Sequence, residues 1–277
     1  MRLTAALRTE LSKLFRQRST YASFAVIAAL VALLAWGSYY HRDHLNVQLK
    51  MGSDFIVAGK SVTALFLAHA AMDVAMVVLM PLLVAFVLGG MVAGERQSGT
   101  LRTLLSRPVP RSVVLISKLL TGWTYAVAIT LFLGVVGLGI GYLVFGWGDL
   151  VIFRGGLTIL EPRTGLLRLA EAYGLAAAAM CAIAVLGMML SVIFDNPLTA
   201  AGLTVAALLV SGTVEFMPYF ERIKPYLFTT NLPMYKDCLR ASVDTASISD
   251  SALLLLAYAV AMIFVALLLF SRRDVTC

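Results

Sequence analysis

Long apolar runs alternate along this chain with short polar, mostly basic interruptions, and the alternation predicts its elements. A membrane-crossing helix needs about 20 apolar residues. Six stretches meet that length, at 21–40, 70–93, 119–145, 169–194, 198–216 and 251–270. The expected fold is therefore an all-α polytopic membrane protein, with six transmembrane helices forming one domain over residues 1–277. The second run extends from Val62 to Val92, longer than a bilayer requires. That length predicts a tilted span, a kink at Pro81, or a start outside the hydrocarbon. Asp195-Asn196-Pro197 predicts a tight turn between the fourth and fifth spans, and Gly148 to Arg168 reads as a polar connection. Pro218, Pro225 and Pro233 interrupt the longest polar segment, Met217 to Asp250. Ahead of the spans, Leu3, Leu7, Leu11, Leu14 and Phe15 fall on one helical stripe, with Arg2, Arg8, Lys13, Arg16 and Arg18 elsewhere. That pattern predicts an N-terminal amphipathic helix lying in the membrane interface rather than crossing it. No small-x-small cleavage pattern follows the first apolar run, and Trp36 to Tyr40 reads as an aromatic interface belt, so the segment is expected to be a retained anchor.

The interruption from Val92 to Leu120 organises the rest. Leu101, Leu104 and Leu105 are spaced i, i+3, i+4, as on a short amphipathic helix, and Pro108 and Pro110 stop it. Arg102, Arg107 and Arg111 surround the stripe, and Lys118 marks the start of the next apolar run. A short helix outside the bilayer with an apolar stripe rests either on lipid headgroups or in the groove of a soluble partner. The order Gly94-Glu95-Arg96, Gly99-Thr100-Leu101, Leu104-Leu105, Pro108, Arg111 and Lys118 resembles the cytoplasmic loop of permease subunits of the type-2 ABC exporter family. Arg102 stands where that family usually carries an acidic residue. The resemblance implies a loop that contacts a separate cytoplasmic ATPase, through Glu95, Arg96, Gly99, Thr100, Leu101, Leu104, Leu105 and Arg107. It implies ATP and magnesium on that partner, no cofactor on this chain, and a second permease copy, identical or related. It places the chain in a bacterial inner membrane as a multi-pass protein.

Composition narrows the class further. With 60% hydrophobic and 13% charged residues over 277 residues, the chain is far from the balance of a soluble domain, where about a quarter of residues are charged. The net charge of +7 fits basic loops against anionic lipid rather than nucleic acid. Cys181, Cys238 and Cys277 offer neither a disulfide framework nor zinc-ligand spacing. No Gly-x-x-x-x-Gly-Lys-Ser/Thr occurs, so the chain carries no phosphate-binding loop, and neither a zinc-protease nor a nucleophile-elbow motif is present. An ordinary enzyme is not expected.

Orientation follows from the density of basic residues near the span ends. Arg2 to Arg18, Arg96 to Lys118, and Arg272 with Arg273 cluster on one side, which predicts both termini and the motif loop in the cytoplasm. His69 and Asp73 share a helix face in the second span. Together with Glu171 and Glu215 they fall toward the outer face, as lining of a translocation path or as interface residues. Two other readings stay open. The same fold could drive a periplasmic protein partner without moving a substrate, which an ordered outer surface over Met217 to Asp250 would favour. Alternatively, protons passing through His69, Asp73, Glu171 or Glu215 could drive a stand-alone transporter, which inverted repeats would favour.

Overall fold

A computed structural model describes residues 3–40, 62–100, 110–153, 157–240 and 244–272. It is an all-α polytopic membrane protein, and among the described residues six helices are long and apolar enough to cross a bilayer. Helix α1 is Leu3–Leu14 and α2 is Arg18–Tyr40. The second long run is two helices, α3 (Ala64–Val77) and α4 (Leu79–Gln97). The break lies at Val78, with φ −134° and ψ −48°, three residues ahead of the expected Pro81. The reason is steric. A proline ring clashes with the carbonyl four residues earlier, here that of Val77, and supplies no N–H to it, so the chain parts upstream of the proline.

Helix α5, Arg111–Phe145, starts two turns before the apolar run does. It is followed by an antiparallel hairpin of β1 (Leu150–Phe153) and β2 (Leu157–Leu160), with Leu150 opposite Leu160. Helix α6, Pro162–Ile193, therefore begins inside what reads in the sequence as a polar connection. The turn to α7, Pro197–Phe216, is capped by Asn196, whose side chain accepts the Leu198 N–H at 2.9 Å, with proline in the first turn where no N–H is missed. The proline-rich stretch that follows is ordered as 3-10 turns and one short helix, up to Leu239. Asn231 holds it by donating to the carbonyls of Pro225 and Leu227 at 3.0 and 2.8 Å. Helix α8, Thr245–Arg272, closes the chain.

At 35 and 32 residues, α5 and α6 are about 50 Å long, against a hydrocarbon core of about 30 Å. Their ends must project from the membrane. In lipid, close packing rather than exclusion of water draws helices together. Helix α6 is the hub. Its most apolar window is 72% buried, against 17% for those of α7 and α8, and it packs on α4, α5, α7, α8 and the proline-rich segment. Gly141 of α5 lies against the backbone of α3, where a Cβ would come within 2.8 Å of the Ala64 Cα. The hydroxyls of Thr121, Thr130 and Thr204, buried at membrane depth, are satisfied by carbonyls one turn back, at 2.8–2.9 Å.

Candidate functional site

Helix α4 ends at the motif Gly94-Glu95-Arg96, and the way it ends sets the site. The Ser98 N–H reaches the Gly94 carbonyl and the Gly99 N–H that of Arg96. Gly99 takes φ +71°, a left-handed conformation that glycine adopts without a Cβ penalty. Glycine at this point of the motif thus has a backbone reason. The hydroxyls of Ser98 and Thr100 both donate to the Glu95 carbonyl at 3.3 Å. Leu101, Leu104, Leu105 and Arg107 lie outside the described residues.

The Glu95 side chain completes a closed ring of four charges drawn from three helices. Lys13 Nζ lies 2.9 Å from Glu10 Oε1 and 3.0 Å from Glu95 Oε1. Lys118 Nζ lies 2.9 Å from Glu10 Oε2 and 2.8 Å from Glu95 Oε2. Each carboxylate uses both oxygens and each ammonium bridges both acids. The Lys118 side chain is 1% exposed and that of Glu10 7%, so neither charge has water to fall back on, and the alternation of sign is what makes their burial tolerable. Burial raises the Glu10 carboxyl, but the Lys118 ammonium, with that of Lys13, outweighs it and holds the group below its ordinary value. Burial lowers the Lys13 ammonium, and its bonds to Glu10 and Glu95 more than reverse this.

Arg96 points the other way. Its guanidinium pairs with Asp195 in the α6–α7 turn and donates to the Val192 carbonyl at 3.3 Å. Arg111 at the start of α5 donates to the Ser271 carbonyl at the end of α8 at 3.2 Å. The motif therefore sits where α1, α4, α5 and the α6–α7 turn are joined, on one side of the bundle with the far end of α8.

Glu10 and Asp195 are not among the residues singled out in the sequence. Asp195 is there only as part of a turn. Glu10 is masked by its neighbours, because the leucine stripe draws the eye, whereas the face of α1 buried in the protein is Ala6, Glu10 and Leu14. Leu3 and Phe15 are left exposed at 41% and 39%, free to enter lipid. The available signal is one acid at i+4 from Ala6 and i−4 from Leu14.

On the opposite side, the four candidate polar residues divide among three helices. His69 and Asp73 of α3 face each other at 3.6 Å. Nearby, the Tyr173 hydroxyl of α6 donates to the Ala68 carbonyl at 2.8 Å. Glu171 lies on an exposed face of α6. Burial, then the carboxylates of Glu171 and Asp237, push up the Cys238 thiol. Glu215 is half-buried near the end of α7. Counted along the helices at about 1.5 Å per residue, Glu171 stands about 33 Å above Ile193 and Glu215 about 27 Å above Pro197. Both fall at the far edge of a hydrocarbon layer about 30 Å thick, rather than at its centre. Among the described residues no group of three or more His, Cys, Asp or Glu side chains could hold a metal ion.

A family model described as a protein of unknown function (DUF2705) matches residues 25–276, and the chain belongs to that family. The chain is also similar to the uncharacterized protein YhcI of Bacillus subtilis (strain 168), 27% identical over 208 residues. That match covers 72% of this chain and 65% of the relative, so this chain spans less than two thirds of the relative's length. Neither likeness carries a chemistry.

Proposed function

We propose that this chain is the membrane-spanning permease subunit of an ATP-driven transporter of the type-2 ABC exporter kind, coupling a separate ATPase to movement of a substrate across a bacterial inner membrane. One observation carries the reading. The segment leading into Leu101–Arg107 is tied at its root, through Glu95 and Arg96, to α1, α5 and the α6–α7 turn. A protein pressing on that segment moves several spans together, as a rigid-body switch requires. The motif side is then cytoplasmic and so are both termini, in keeping with the density of basic residues there. ATP and magnesium bind the partner, because this sequence holds no phosphate-binding loop. A second copy or a related permease completes the path, and lipid surrounds α1. The test is recovery of a P-loop ATPase with solubilised wild-type protein, compared with Leu104→Asp plus Leu105→Asp at equal protein level. Loss of the ATPase in the double variant supports docking at this segment; equal recovery moves the contact elsewhere.

A second reading has its own observation. The segment 217–240 is ordered on the far side, where Met234, Tyr235, Cys238 and Leu239 are buried. Beside it lies an open pocket of about 770 Å³ whose mixed lining includes Lys236, Asp237, Arg240, Asp244 and Asp250 along with Pro225 and Met234. Such a surface suits a protein partner outside the membrane, driven by the same motion.

A further inference from the structure

One bond pattern inside the bundle is unlike the rest. In a regular helix the Ala93 N–H pairs with the Gly89 carbonyl. Here the Ser191 hydroxyl of α6 contacts both groups. It accepts the N–H groups of Val92 and Ala93 at 3.1 and 2.9 Å and donates to the Gly89 carbonyl at 2.7 Å. Ser191 is fully buried, so no water competes for these bonds. A side chain inserted into the backbone ladder is one of the few recognised causes of a helix bend.

The position of the insertion gives it meaning. It falls two residues before Glu95, between the membrane-crossing body of α4 and the turn that carries the motif. The body is fixed at this level, because a Cβ on Gly89 would meet the Ala201 backbone nitrogen of α7 at 2.7 Å. Beyond it, Arg96 in the last turn of α4 is held at two points, by the Val192 carbonyl at the end of α6 and by the Asp195 carboxylate in the turn that follows.

We propose that Ser191 is a positioning residue that holds the α4 ladder open one turn before the motif, so that the Glu95–Arg96 turn swings together with the α6–α7 turn. This rests on the coupling role proposed above, and it supplies the joint that such coupling needs. A continuous helix would carry a push at Thr100 straight into the packed contact at Gly89. An opened ladder lets the last turn rotate while the contact holds.

The test is hydrogen–deuterium exchange over residues 88–97 in the permease alone, in nanodiscs, for wild type, Ser191→Ala, Ser191→Cys and Ser191→Thr. Without the hydroxyl, the Val92 and Ala93 N–H groups close on their ordinary partners, the carbonyls of Leu88 and Gly89. Exchange at these amides in Ser191→Ala is then expected to be about fivefold slower than in wild type, the worth of about one backbone hydrogen bond. Ser191→Cys, whose thiol bonds weakly at nearly the same volume, is expected to slow in the same direction, and Ser191→Thr to restore the wild-type rate. A serine that merely glues α6 to α4 predicts the opposite sign, with faster exchange when it is lost. Equal or faster exchange in both Ser191→Ala and Ser191→Cys, or slow exchange in Ser191→Thr, overturns the proposal. No ATPase enters this measurement, so it succeeds or fails separately from the docking experiment.

Discussion

Replacing Lys118 with methionine tests whether the four-charge ring holds α1 to the bundle. Methionine keeps most of the volume and removes the charge. Lys118 makes two close ion pairs, at 2.9 Å to Glu10 and 2.8 Å to Glu95. Of these, the contact to Glu10 is also a hydrogen bond to a charged group, worth about 1.5–3 kcal/mol, and the ion pair to Glu95 adds to it. Breaking a buried pair by removing one partner costs about 3–5 kcal/mol, because the other charge stays buried. Two facts reduce this: Lys13 still touches both acids, and the Glu95 side chain is 18% exposed. About 3 kcal/mol is expected. At about 2–4 °C per kcal/mol for a chain of this size, thermal unfolding in detergent should drop by about 6–12 °C. Lys13→Met is the control, since Lys13 is 46% exposed and an exposed pair is worth at most about 1 kcal/mol. Adding Glu10→Gln to Lys118→Met removes one uncompensated charge and should recover part of the loss, giving a coupling energy in the cycle. Equal, small effects of Lys118→Met and Lys13→Met would show that the ring does not hold α1 to the bundle.

Other consequences follow from the same geometry. Glu10 is held below its ordinary value of 4.5, so its contribution is present above that pH and is lost as pH falls through the depressed value. Lys13 is raised above 10.5, so its contribution is present below that pH and is lost as pH rises through the raised value. Proteolysis near Arg8 should therefore be slow between these limits and should accelerate beyond either one. Gly141→Ala should lower thermal stability, because the new methyl meets α3 backbone, while Gly139→Ala, with open space around it, should be neutral or gain up to about 1 kcal/mol from helix propensity. Arg96→Gln should cost little stability, since Asp195 is 69% exposed, yet should reduce ATPase stimulation by the permease if this pair carries the motion.

Five of the spans were legible because each is a long apolar run, and composition alone separates such runs from polar loops; the expected span 70–93 is instead broken at Val78, and its crossing helix is Leu79–Gln97. Their boundaries were less so. Helix α6 continues through Arg163 and Arg168 and α5 starts at Arg111, because a helix projecting beyond the hydrocarbon no longer needs apolar residues. The break at Val78 is written in Pro81 and displaced from it by the geometry of the proline ring. Glu95 and Arg96 were legible through their motif, whereas Glu10, Ser191 and Asp195 acquire roles only through contacts about 100 residues away, which no local pattern encodes.

Photo-crosslinking in native membranes with benzoylphenylalanine at position 104 tests ATPase docking most directly. ATPase docking predicts a crosslink to a cytoplasmic protein whose peptides include a phosphate-binding loop, abolished by Leu101→Asp. Crosslinks confined to lipid or to a second copy of this chain would contradict it.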